Sequence, residues 1–126
     1  MIDFSSGGLF ARLKKVEDGT FSDMIQGFLL DDESILGTYQ GIRDGVVFTS
    51  KRIIAINVQG ITGKKKDFCS IPYSKITTFS VETAGVFDLD AELEIYMSAV
   101  GKVKFEFTGS TNVNAICKTI STYTLR

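Results

Sequence analysis

The chain has 126 residues, enough for one domain that buries roughly two-thirds of the surface its unfolded form exposes, so no disulfide or metal staple is required. Its 14 basic and 15 acidic side chains leave a formal net charge of -1, whereas a nonspecific polyanion binder carries a basic excess; bulk nucleic-acid binding is disfavoured. Histidine is absent, which removes imidazole bases and histidine-ligated metals, and Cys69 and Cys117 stand far apart without a partner motif, as idle thiols do in a reducing compartment.

In chain order, the opening residues carry no signal-peptide or lipidation pattern, and Phe28-Leu29-Leu30 is too short an apolar run to span a membrane; the expected address is the cytoplasm. Residues 1–34 read as a helical arm. Leu9, Phe10, Leu13 and Val16 recur at helical spacing beside Arg12, Lys14 and Lys15, Gly19-Thr20 interrupts, and residues 21–30 suit a second short helix. Residues 35–107 then read as short strands punctuated by turns. Residues 35–43 meet 46–49 across Asp44-Gly45, a strong two-residue hairpin signal. Ser50-Lys51 leads into a β-branched run, residues 52–58, that suits a strand with little exposure on either face. Gly60 and Gly63 bracket a turn before residues 66–71, and Pro72 ends that strand because it cannot donate to a ladder.

Three further strands alternate with a period of two. Phe79 and Val81 share one face opposite Thr78, Ser80 and Glu82; Leu93, Ile95 and Met97 alternate with Glu92, Glu94 and Tyr96; Val103, Phe105 and Phe107 alternate with Lys104 and Glu106. About seven strands at this spacing point to a mainly β sandwich or barrel. The end of the chain changes period. Gly109-Ser110-Thr111-Asn112 is a helix-start cluster with Thr111 as the expected N-cap, and Val113, Ile116, Cys117, Ile120 and Tyr123 form one helical stripe that must be buried against the barrel. Two units follow: a helical arm over 1–34 and a barrel with its capping helix over 35–126.

The run Gly41-Ile42-Arg43-Asp44-Gly45-Val46-Val47-Phe48-Thr49-Ser50-Lys51-Arg52-Ile53-Ile54 resembles the signature of the bacterial pleckstrin-homology (PH) domain family. The likeness continues through Gln59-Gly60-Ile61-Thr62-Gly63-Lys64-Lys65, Ser70-Ile71-Pro72-Tyr73-Ser74-Lys75-Ile76 and the block from Phe79 through Asp88 to Leu93. This resemblance implies a PH-like barrel of seven antiparallel strands in two near-orthogonal sheets, capped by the C-terminal helix. It also implies assembly into ring-like homo-oligomers. Phosphoinositide-binding relatives of the wider fold hold phosphates with cations from the loop joining the first two strands. Here Arg43-Asp44-Gly45 offers one cation beside one carboxylate, so that site is not expected.

Lys64, Lys65 and Lys66 form the densest basic cluster and are the candidate contact for an anion or membrane, against the plainer reading of a solvated hairpin tip that discourages edge pairing. The basic stretch 9–16 could lie on a membrane, but it is barely two turns long. Asp88-Leu89-Asp90-Ala91-Glu92 lacks the glycine and distal glutamate of a calcium loop, and Asp88 reads as a turn former. No catalytic, metal-binding or cofactor-binding set stands out, so the expectation is no enzyme and no cofactor. The leading expectation is a self-assembling module that binds a protein or peptide. Phe4, Leu9, Phe10 and Leu13, with Ile53 and Ala55, are the candidate subunit contacts, with ordinary core burial as the competing reading. The alternative is a peripheral membrane adaptor that uses the basic hairpin and the N-terminal arm.

Overall fold

Residues expected to open the chain as a helix instead form strand β1, Gly8–Val16. The computed structural model describes residues 1–83, 90–109 and 111–125. The helical arm is therefore corrected, and the cause is a bulge. Phe10 pairs with Phe105 and Leu13 with Phe107, so β1 spends one residue more than its partner between them. Arg12 absorbs the extra residue at φ 58. In a regular strand, residues three apart face opposite sides; the bulge returns Phe10 and Leu13 to the same buried side. Their spacing imitates a helix for that reason.

After β1 come a four-residue helix α1 (Ser22–Ile25) and strands β2 (Ile35–Gln40), β3 (Gly45–Thr49), β4 (Arg52–Gln59) and β5 (Lys65–Pro72). A 3-10 turn, Tyr73–Lys75, leads to β6 (Thr78–Thr83), β7 (Ala91–Met97), β8 (Gly101–Phe107) and the C-terminal helix α2 (Val113–Thr124). The strands form one sheet in the order β5-β4-β3-β2-β1-β8-β7-β6. Seven strands were expected; the converted arm supplies the eighth. It joins the two halves, running parallel to β8 through its first part and antiparallel to β2 from Lys14 to Val16.

The inner faces share one core. Phe10, Leu13, Tyr39, Phe48, Ile53 and Ala55 pack in the same cluster as Leu93, Ile95, Val103, Phe105 and Phe107. Helix α2 seals it with Ile116 and Ile120, and Tyr123 stacks on Tyr73 at 5.2 Å. The stripe read from the sequence is thus the buried one. The cap differs by one residue: Asn112, not Thr111, accepts the backbone N–H of Ala115 at 3.1 Å.

A second, smaller core lies on the outer face of the sheet, where Phe21 and Ile25 cover Val47, Ile54 and Ile56. This accounts for a β4 buried on both sides. It also explains Gly45. The β2–β3 turn spans Gly41 to Asp44, closed by the Gly41 N–H donating to the Asp44 carbonyl at 2.7 Å, so Asp44-Gly45 is not the two-residue turn. Gly45 is already in the strand, and a Cβ there would run into the Phe21 ring. Glycine is required for packing, not for the turn.

Candidate functional site

The most strongly held polar group is Glu33, whose carboxylate is wholly buried. Arg52 grips it through two nitrogens at 2.9 Å, the Thr49 hydroxyl donates at 2.6 Å, and the Leu30 N–H donates at 3.1 Å. Burial alone would raise its pKa, but these donors and the Arg52 charge outweigh it and hold the carboxyl down at about 2. Arg52 also donates to the Phe28 carbonyl at 2.7 Å, so the pair ties the covering segment to β4. Arg52 donates further to the Ser70 hydroxyl at 3.2 Å, so the arrangement is a structural clasp. Burial likewise pushes up the Cys69 thiol and, more strongly, the Tyr73 hydroxyl, which donates to the Thr49 carbonyl at 2.8 Å.

Of the residues expected to contact other subunits, Phe4, Phe10, Leu13, Ile53 and Ala55 lie in the core of a single chain. Their side chains pack inside the fold of one chain. Leu9 alone of the six is exposed, at 56%. In the basic stretch, Phe10 and Leu13 are buried, while Leu9, Arg12, Lys14 and Lys15 lie exposed on the outer side of β1, whose backbone pairs with strands on both sides.

Lys64, Lys65 and Lys66 are exposed as expected, at the β4–β5 turn and the start of β5. The fold brings the β2–β3 turn beside them: Arg43 donates to the Gly60 carbonyl, and the Asp44 carboxylate accepts the Val58 N–H at 2.9 Å. Two isoleucines that sequence reasoning passed over cap these turns. Ile42 is 83% exposed and Ile61 fully exposed. An isoleucine flanked by turn residues and cations was the available signal.

The two sheet edges differ. Strand β5 is screened by Lys65, Lys66 and Pro72, and the N-terminal amine reaches Asp67 at 3.1 Å. Strand β6 carries no lysine, arginine or proline, and Phe79 and Val81 pack against the core only in part. Among the described residues, its ladder runs to β7 alone. On the outer face, Glu82, Glu92 and Glu106 stand opposite one another across β6, β7 and β8 and line a concavity of about 450 Å³ with Arg12 and Asp90. Lys104 meets Glu92 at 3.5 Å. Asp88 lies outside the described residues.

A family model described as the bacterial PH domain matches residues 6–124. The chain is 45% identical over 91 residues to the Bacillus subtilis (strain 168) protein YjqA, covering 72% of this chain and 73% of that one. It is 30% identical over 101 residues to YozO of the same organism, covering 80% and 87%. Its fold is similar to the crystal structure of a pleckstrin-homology-domain protein from Shewanella loihica PV-4, with a TM-score of 0.79, 39% identity and coverage of 94% and 99%. A pleckstrin homology domain from Shewanella amazonensis SB2B gives a TM-score of 0.68 at 44% identity, covering 88% and 90%. The matched region takes in β1. With its eight-stranded sheet, C-terminal helix and matching family pattern, this chain belongs to the bacterial PH domain family.

Proposed function

We propose that the domain is a non-catalytic cytoplasmic module that associates with copies of itself, in a ring-like arrangement, and takes up an extended segment of a protein or peptide partner at the free edge of β6. The contrast between the two edges carries this reading. An unscreened edge offers a row of backbone donors and acceptors to an incoming strand, and natural proteins blunt edges that are not meant to pair. Here β5 carries two lysines and a proline, whereas β6 carries one charged side chain, Glu82. The half-buried Phe79 and Val81 supply apolar contacts that an added strand would complete.

The test is absolute mass by light scattering after size exclusion, across a dilution series. The expected mass is a constant multiple of 13.8 kDa. A Thr78→Lys/Ser80→Lys variant, which sets like charges on the edge at two exposed positions, should reduce strand addition while leaving the thermal midpoint nearly unchanged. A monomer at every concentration would defeat the self-association, and an edge variant with undiminished mass and peptide capture would remove β6 from it.

A further inference from the structure

We propose that the β6 edge selects partner segments that place a lysine or arginine opposite Glu82 and apolar residues opposite Val81 and Phe79. This inference rests on strand addition at β6, as read above, and names what the added strand must carry.

Side chains along β6 alternate between two environments. Phe79 and Val81 turn toward the core and are half-buried, whereas Thr78, Ser80 and Glu82 stand exposed on the outer face. A strand laid against β6 follows the same alternation, because the pleat has a period of two. Its residues opposite Phe79 and Val81 would extend the core and should be apolar. Those opposite Thr78 and Ser80 meet small hydroxyl side chains, which impose little. The position opposite Glu82 is different.

The register across the sheet sets three carboxylates in one row: Glu82 faces Glu92, and Glu92 faces Glu106. Like charges directly opposite one another weaken strand pairing. The lysines of this face relieve that row from one side. Lys104 reaches Glu92 at 3.5 Å and Glu94 at 3.9 Å, and Lys102 reaches Glu94 at 3.9 Å. Both lysines lie on β8, two strands from the edge. Among the described residues, Glu82 has no cation of its own. The place from which one would reach it directly is the strand beyond β6.

A residue directly opposite Glu82 on an added strand would have its Cβ about 5 Å away. From there a lysine or arginine can lie over Glu82 and reach into the adjoining hollow of about 450 Å³, whose walls include Glu92 and Glu106. Arg12 lines the same hollow from β1, three strands from the edge, and leaves the β6 side acidic. A glutamate opposite Glu82 would instead lengthen the row of like charges. An extended peptide fits this edge better than a free cation does, because Phe79 and Val81 call for apolar groups on the same partner.

The experiment titrates the isotope-labelled full chain with three terminally blocked peptides and follows the β6 amide signals by NMR. The first, Thr-Lys-Val-Thr-Val-Thr, sets its lysine opposite Glu82 when its valines lie opposite Val81 and Phe79 in antiparallel pairing. The second and third carry glutamine and glutamate in place of the lysine. The lysine peptide should bind about fivefold more tightly than the glutamine peptide, the upper range for one cross-strand ion pair, and the glutamate peptide should bind most weakly. At about 1 M salt, where the screening length is about 3 Å, the three affinities should converge. Glu82→Gln should level the lysine and glutamine peptides, and Glu82→Lys should shift the preference to the glutamate peptide. If no peptide moves the β6 amides, strand addition itself fails and the selection falls with it. If all three bind there equally, strand addition stands and the selection is overturned. A lysine preference undiminished in Glu82→Gln would overturn the role of Glu82.

Discussion

Glu33 shows how one buried charge can set the acid limit of a fold. Its carboxyl falls from the usual 4.5 to about 2 because Arg52, Thr49 and Leu30 bind the ionised form more strongly than burial penalises it. A carboxyl lowered in the folded state adds stability that is fully present above its unfolded value and is lost as pH falls through its folded one. The denaturation midpoint should therefore drop between about pH 4.5 and pH 2, and Glu33→Gln should flatten that part of the profile. Arg52→Ala leaves a buried charge without its main partner and should cost about 3 kcal/mol in urea denaturation. Arg12 is a different kind of residue-scale constraint. At φ 58 it occupies a region costly to any side chain, and a β-branched one most of all. Arg12→Gly should be neutral or stabilising by about 0.5 kcal/mol, the relieved strain slightly exceeding the entropy glycine adds to the unfolded chain. Arg12→Val should destabilise by about 2 kcal/mol. The reverse order in thermal midpoints would mean the bulge is not held as described.

Among the elements, β1 matters most because of where it sits. Among the described residues it connects β2 and β8 in the ladder, and Phe10 and Leu13 enter the core from it. Removing residues 1–16 should abolish cooperative unfolding rather than merely shrink an assembly; a truncated chain that still melts cooperatively would contradict this placement. The loop before β1 is pinned in turn. Phe4 lies in the core, its carbonyl accepts the Lys102 N–H at 3.0 Å, and a Cβ on Gly101 would be driven into that carbonyl. Other elements were plain from their own residues. The alternation in β6, β7 and β8 and the stripe of α2 each follow from a local period that the tertiary structure does not disturb. The turn at Gly41 to Asp44 was not plain, because the glycine that marks it serves the packing of Phe21, a residue distant in sequence.

For the whole molecule, the features available to partners arise from pairing and not from any segment alone. Among the described residues, β5 and β6 are the edges because β1 joins the two halves of the sheet. The β2–β3 and β4–β5 turns, far apart in sequence, stand together because Arg43 donates to the Gly60 carbonyl. Lys64, Lys65 and Lys66 were legible as a candidate site because they are consecutive; Ile42 and Ile61 were not, because their exposure depends on everything around them. The same reason left five of the six candidate subunit contacts buried in one chain's core: an apolar residue reads alike in sequence whether it faces a partner or its own core. The sequence by itself determined the mainly β class, seven of the strands, the buried face of α2 and the membership signalled by its turn-and-strand blocks, since these depend on local periods of two and 3.6 residues. Only the tertiary structure decided that the first segment is a central strand, that a clasp at Glu33 holds an outer layer in place, and that β5 and β6 end the sheet among the described residues. Those outcomes depend on long-range pairing, where one bulged residue is enough to make a strand look like a helix.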